Sequence, residues 1–326
     1  MRALGLDLVG FGNVGRALAA LLIARSAEAP FKVVSIVTAH HGWWVDAQGI
    51  DLSEALSAKD LPSKDPRPPI ADLPGDVLVE LTTLDPRTGQ PAYDHIAEAL
   101  RAKKHVVTAN KGPIAHRYDE LTELAAAAGR MLRFEATVAD CLPVFDLRRS
   151  ALPLAEIRRI RGIVSSTTNH ILSSAARGVR FEDALTEAQR LGVAETDPTS
   201  DLEGWDAAAK ATILANVLMG ARIGIDDVSR EIVDGSTSRD AERVAHEGAR
   251  LRPLIEIAQH GGKVMASFGP RRLDPLDPLF AVDGLSMALE LETDLAGRVV
   301  VQLHDPHIEQ VAYAVLTDLL EVAAAG

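Results

Sequence analysis

Along the first third of the chain, short apolar runs alternate with stretches whose apolar positions recur at helical spacing. Leu4–Gly10, the β-branched run Lys32–Ala39 (KVVSIVTA), Val77–Thr83 (VLVELTT) and His105–Ala109 (HVVTA) read as strands. Val14–Arg25, Asp94–Lys104 and His116–Gly129 read as the helices between them. The strand runs are apolar on both faces, as a sheet covered by helices requires, and parallel neighbours need a crossover. The pattern predicts an α/β chain that opens with a parallel sheet over residues 1–135.

The character changes after Pro143. Long helical patterns, notably Phe181–Leu191 and Trp205–Met219, mix with strand-like segments Arg161–Ser165, Gly262–Phe268 and Arg298–Leu303. An apolar helix, Ile308–Val322, follows. The mixture predicts a second, α+β domain over residues 136–305. The stretch Pro62–Pro74 is mostly polar and holds five prolines, but strand-like runs resume directly after it. It therefore reads as a surface loop of the first domain.

Length and charge narrow the field. A chain of 326 residues fits two domains, each large enough for a core. A formal net charge of -12 argues against nucleic acid and against an anionic membrane surface. The short basic run Arg158-Arg159-Arg161 reads as solvated surface. The single cysteine, Cys141, excludes an internal disulfide and suits a reducing, cytoplasmic compartment. Ala17–Ala24 is apolar but too short to span a bilayer, and it lacks the basic flank of a leader.

Gly10-Phe11-Gly12-Asn13-Val14-Gly15 follows the first strand and opens a helix. The first glycine permits a tight turn, the second lets backbone approach a pyrophosphate, and the third brings helix close to strand. Free N–H groups at the helix start then meet phosphate charge. In this strand–turn–helix setting the motif predicts dinucleotide binding on a Rossmann domain. Thr82 and Thr83, at the end of the third strand-like run, are further cofactor candidates. The second strand ends Val37-Thr38-Ala39-His40-His41, without the carboxylate that grips a ribose 2′-hydroxyl. This points to NADP, with NAD as the alternative. His40 and His41 can touch a 2′-phosphate or be ordinary loop residues.

Three further segments carry chemistry. Val106–Pro113 (VVTANKGP) places Lys111 at the carboxyl end of a parallel strand, where ligands bind in open α/β sheets. Gly162–His170 (GIVSSTTNH) sets hydroxyls between a strand and a helix, able to cap that helix or to supply donors to a substrate. Glu195–Lys210 (ETDPTSDLEGWDAAAK) runs a carboxylate-rich loop into an apolar helix. Asp206 and Lys210 stand four apart and share a helix face. They can form a surface ion pair, but the apolar surroundings and the density of acids favour a functional site. A partly buried lysine needs such a carboxylate, and its proton can be tuned for transfer.

The ordered set GFGNVG at Gly10, VVTANKGP at Val106, FEATVADCLP at Phe134, TTN at Thr167 and AETDPTSDLEGWDAAAK at Ala194 resembles the homoserine dehydrogenases over nearly the whole chain. The resemblance implies interconversion of L-aspartate 4-semialdehyde and L-homoserine with NAD(P)H. It implies a Rossmann domain and a second domain with a mixed sheet, the latter supplying substrate contacts and the interface of a homodimer. A helix over residues 306–326 would rejoin the first domain, as in the short form without a C-terminal regulatory domain. By resemblance, Lys210 is the catalytic lysine, Asp206 its carboxylate neighbour and Lys111 the second lysine. Glu195 and Asp201 look like acids for the substrate ammonium, and Thr167 like the substrate-contacting threonine. Glu135, Val138, Asp140 and Leu142 match a loop that binds a monovalent cation in some members, partly through backbone carbonyls.

The chain departs from the family at Ser165-Ser166, where Asn-Gly is usual, and at Val193, usually tyrosine. Ala139-Asp140-Cys141 and Leu303–His307 stand where the family is richer in glycine. These departures support a second reading, a related dehydrogenase acting on another small amino-acid aldehyde or hydroxy acid. Two others are weaker: aldehyde oxidation through a Cys141 thiohemiacetal, and a non-catalytic nucleotide sensor. His304, Asp305 and His307 crowd one turn, where three metal ligands rarely converge.

Overall fold

A computed structural model describes residues 3–64, 66–85 and 87–325. The chain divides into two compact units, Met1–Cys141 with His307–Gly326, and Leu142–Pro306.

In the first unit, β1 (Leu4–Val9) turns into α1 (Asn13–Ala24), and β2 (Phe31–Val37) returns beside it, flanked by β3 (Trp43–Val45). Then come α2 (Leu52–Ser57), β4 (Val77–Glu80), α3 (Ala92–Arg101), β5 (His105–Thr108), α4 (Lys111–Ala128) and β6 (Leu132–Arg133). The sheet order is β3-β2-β1-β4-β5-β6, parallel throughout except for β3. Strand order reverses between β1 and β4, so the connections after them leave to opposite faces and open a crevice at their carboxyl ends. The C-terminal helix, Ile308–Ala325, lies against α1. It places Ala312, Val315, Leu319 and Val322 in the core that holds Leu6, Leu8, Leu18 and Ile36. Each fully buried aliphatic side chain contributes about 1.5–3 kcal/mol.

Two local features differ from the sequence pattern. Helix α4 begins at Lys111, five residues before the amphipathic repeat. Asn110 caps it by accepting from Gly112 N, and Pro113 sits in the first turn, where a missing N–H costs nothing. A kink at Arg117 (φ -141°) then separates this turn from the regular helix. The proline-rich stretch is also not wholly superficial, since Ile70 and Leu73 are buried. Just beyond it, Lys104 Nζ lies 2.8 Å from Asp7 Oδ2 and donates to Gly75 O and Leu73 O, while Gly75 N donates to Asp7. A buried ion pair therefore ties this loop to β1.

The second unit contains α5 (Val144–Asp146), β7 (Ile157–Ile163), α6 (Ser166–Ala175), α7 (Phe181–Arg190), α8 (Thr199–Leu202) and α9 (Trp205–Met219). After these come β8 (Ser229–Arg230), α10 (Gly235–His246), β9 (Arg250–His260), β10 (Lys263–Leu273), β11 (Met287–Thr293) and β12 (Arg298–Leu303). Its sheet runs β12-β11-β7-β9-β10-β8, antiparallel except for the parallel pair β8–β10. Helices α6, α9 and α10 pack on it. Arg161 does not lie in a solvated run. Its guanidinium is nearly buried between Asp277 (2.7 Å) and Glu290 (2.9 Å), whereas Arg158 and Arg159 are exposed. Among the described residues, no helix is long and apolar enough to cross a membrane.

Candidate active site

The three glycines of the first turn meet different surroundings. Gly10 has φ +99°, and a Cβ there would lie 2.5 Å from Leu81 O. A Cβ on Gly15 would lie 2.8 Å from Gly10 O. Both glycines are demanded by the protein's own packing. A Cβ on Gly12 meets nothing within 4 Å, so the space beside it is open. Gly12 also starts α1 without a side-chain cap, leaving the N–H groups of Asn13, Val14 and Gly15 for a ligand. An anionic pyrophosphate fits this cradle. Phe11 lies alongside, with the Arg16 guanidinium 5.6 Å from its ring centroid.

Thr82 and Thr83 lie just past β4, which stops at Glu80. Asn110 Nδ2 donates to Thr82 O (3.1 Å), so this loop is fixed to the residue that caps α4. Lys111 is the first residue of that helix. At the tip of β2, Thr38 and His41 close a turn in which His41 N donates to Thr38 Oγ1. Here the structure brings in an acid that the local sequence does not show. Asp60 Oδ1 lies 3.2 Å from His41 Nδ1 and 3.4 Å from Lys64 Nζ. Hydrogen bonding from His41, then the Lys64 charge, holds its carboxyl below the usual range. Asp60 is distant from the strand end in sequence and becomes local only through the fold.

In the second unit, two polar contacts meet at one strand-to-helix turn. Lys210 Nζ lies 2.8 Å from Asp206 Oδ2 and donates to Val164 O at 2.6 Å. Both side chains are 14% exposed, so solvent screens the pair weakly yet reaches it. Three residues past Val164, Thr167 Oγ1 stands 2.7 Å from Val193 O and 2.9 Å from Asp201 Oδ2. The hydroxyl run thus divides its work. Ser165 caps α6 by accepting from Thr168 N, while Thr167 faces the acid loop. Asn169 is buried and ties Val282 O and Ser286 O, a structural role.

The acid loop is ordered by its own contacts. Gln189 Nε2 donates to Glu195 O and Thr196 O, and Asp197 accepts from Thr199 N and Oγ1. Those Thr199 contacts lower the Asp197 carboxyl, which makes it a turn residue. The Glu195 carboxylate remains exposed. Gly204 (φ +76°) lets the loop pass against the Phe268 ring, where a Cβ would come within 2.4 Å.

Around the proposed cation loop, Glu135 is buried and its N–H donates to Asp318 Oδ2 at 2.9 Å. Val138 and Leu142 are buried apolar residues. Ala139 and Asp140 both take φ +55°, and Asp305 takes φ +43°. The backbone therefore adopts glycine-like conformations at both places where the chain lacks the family's glycines. Burial, then the Asp140 charge, pushes the Cys141 thiol up, which disfavours a nucleophilic thiolate.

A Rossmann sheet with an open glycine cradle, in one chain with a lysine–carboxylate pair, defines an NAD(P)-dependent oxidoreductase. Residues 10–135 match the family model for the homoserine dehydrogenase NAD binding domain, and residues 143–320 match that for homoserine dehydrogenase. The chain is 38% identical to the homoserine dehydrogenase of Methanocaldococcus jannaschii over 97% of both chains. It is 32% identical to the NAD(+)-dependent homoserine dehydrogenase of Pseudomonas canavaninivorans, covering 97% of this chain and 95% of that one. A hyperthermophilic archaeal homoserine dehydrogenase solved in complex with NADPH aligns with TM-score 0.82 and 29% identity, over 99% of this chain and 98% of that one. The chain belongs to the homoserine dehydrogenase family.

Proposed function

We propose that the protein interconverts L-aspartate 4-semialdehyde and L-homoserine, with Lys210 as proton donor in reduction and acceptor in oxidation. One observation carries this: Lys210 is nearly buried, yet its ammonium is held by Asp206 and the Val164 carbonyl beside Thr167. The bound nicotinamide supplies or accepts the hydride. As charge grows on the aldehyde oxygen, Lys210 delivers a proton to it, and Asp206 keeps the ammonium oriented. Glu195 and Asp201 hold the substrate ammonium, Thr167 fixes Asp201, and Lys111 helps order the site. Gly10 through Gly15, Thr82, Thr83 and Lys111 hold the cofactor. The relatives' assignment to homoserine disfavours the reading with another amino-acid aldehyde.

The reading extends to assembly and ions. Residues 1–135 with 306–326 serve as the dinucleotide domain, and 136–305 as the substrate and dimerisation domain of a cytoplasmic homodimer. Glu135, Val138, Asp140 and Leu142 are the candidates for a monovalent cation. The left-handed backbone at Ala139 and Asp140 supports this, since it redirects successive carbonyls. Cofactor choice leans to NADP, because β2 ends without an acid and Asp60 is countered by Lys64 and His41. A spectrophotometric assay with L-homoserine and each oxidised cofactor tests both points. Turnover with NADP+ at least matching NAD+ is expected. No turnover of L-homoserine, with turnover of another hydroxy amino acid, would replace the substrate assignment.

A further inference from the structure

Glu80 is the last residue of β4 and is fully buried, although it is a carboxylate that no lysine or arginine among the described residues pairs with. In the sheet it pairs with Val9 at the end of β1 and with Thr108 at the end of β5. It therefore stands where the strand order reverses. Its Oε1 accepts from the Thr82 hydroxyl and from Thr82 N (3.3 Å), and His95 Nδ1 lies 3.4 Å from the same oxygen. Its backbone carbonyl accepts from Thr108 Oγ1 (3.1 Å), which in turn accepts from Asn110 N (3.0 Å). Asn110 closes the circuit by donating to Thr82 O and by capping α4 ahead of Lys111.

An apolar side chain would fill this strand end at lower desolvation cost. The carboxylate instead spends its hydrogen bonds on the loop that leaves the sheet at the ligand edge. We infer that Glu80 is a positioning residue for the cofactor: its carboxylate holds the Thr82–Thr83 loop, and Asn110 at the start of α4 is tied to the same loop, in the geometry that receives the dinucleotide. His95, on α3, backs the carboxylate from inside the domain. This inference rests on the assignment of Thr82, Thr83 and Lys111 to the cofactor.

The test is fluorescence titration of the full chain with NADPH and NADH, beside steady-state kinetics. Glu80→Leu keeps the strand end filled and removes both acceptors. It should raise the cofactor Kd and KM on the order of tenfold, the scale of one lost hydrogen bond to a charged group. The kcat at saturating cofactor should be largely kept. Glu80→Gln, which retains one acceptor, should recover part of the loss. A merely structural role predicts another signature: a smaller folded fraction lowers apparent kcat and leaves Kd and KM in place. If Glu80→Leu does not fold, Glu80→Gln decides, since it keeps the shape and removes only the charge and one acceptor, and it too should raise Kd, by a smaller factor. Wild-type binding with unchanged Kd in the folded variants overturns the positioning role. A wild-type chain that binds neither dinucleotide overturns the functional reading itself.

Discussion

The Arg230 guanidinium carbon stands 3.3 Å from the ring centroid of Trp205, the first residue of α9. The same arginine donates to Glu203 O, and Trp205 Nε1 donates to Glu203 Oε2. A strand residue thus clamps the start of the helix that carries Asp206 and Lys210. Arg230→Ala should cost about 1–2 kcal/mol in urea denaturation, the sum of a stacked cation and a hydrogen bond. It should also lower kcat by up to about tenfold, because Asp206 is the next residue and catalysis is sensitive to placement. Arg230→Lys keeps the charge but loses the planar stack, so it should resemble the alanine variant. Unchanged stability in both would show that the stack contributes nothing.

The glycine turn offers a separation that sequence alone cannot make. A side chain on Gly12 meets open space, whereas one on Gly10 meets Leu81 O. Gly12→Val should therefore keep its unfolding midpoint and bind NADPH more than about tenfold more weakly. Gly10→Val should destabilise the fold by about 2–5 kcal/mol through left-handed strain and overpacking. Calorimetry with cofactor titration reads both. Equal loss of stability in the two variants would mean that the space beside Gly12 is structural.

Asp234 caps α10 by accepting from Ser236 N and Thr237 N, and Thr237 Oγ1 returns to Asp234 N. Hydrogen bonds from the Ser236 hydroxyl and the Thr237 N–H lower its carboxyl from 3.8 to about 2. A depressed acid stabilises the fold above its unfolded pKa, and that contribution is lost as pH falls through the folded value. Asp234→Ala should cost about 1 kcal/mol at neutral pH, the usual value of such a cap. The gap between variant and parent should then close as pH drops from 3.8 toward about 2. Chemical denaturation across that window checks it; a gap independent of pH would assign the cost to something other than the carboxylate.

Legibility in the sequence followed locality. The parallel strands β1, β2, β4 and β5 and the helices α1 and α9 are legible because their apolar patterns are continuous, and the predicted Trp205–Met219 coincides with α9 at both ends, whereas the two-residue β6 is too short to show a pattern. The strands Arg250–His260 and Met287–Thr293 are not legible, because charged residues alternate along them and Pro253 and Pro270 face one another across the hairpin. Those charges make sense only in the sheet, where Glu256 meets Arg159 and Arg271, and Glu290 meets Arg161. At the site, the Asp206–Lys210 spacing was visible because four residues define a helix face. The Thr167–Asp201 contact, the Val164 carbonyl, the meeting of Glu80 with His95 and Thr108, and Asp60 all depend on chain reversals that no local pattern encodes.

The proposed chemistry rests on Lys210. Its ammonium has an ion-pair partner in Asp206 and a neutral acceptor in Val164 O, so it is oriented without being fully neutralised. Its acceptor Val164 stands three residues before Thr167, which meets Asp201, the proposed anchor of the substrate ammonium. Positioned proton donors contribute about 10²–10⁴-fold to rate. Lys210→Ala should lose that much kcat while keeping its circular dichroism spectrum and its affinity for NADPH, since the dinucleotide cradle is built from other residues. Asp206→Leu should be comparably impaired, because it leaves a nearly buried ammonium without its counter-charge. Glu195→Gln should act differently: its carboxylate is exposed and its proposed part is to bind the substrate ammonium rather than to move the proton, so KM for L-homoserine should rise while kcat changes little. Near-normal kcat in folded Lys210→Ala would remove this lysine from the mechanism and make Lys111 the next proton donor to test.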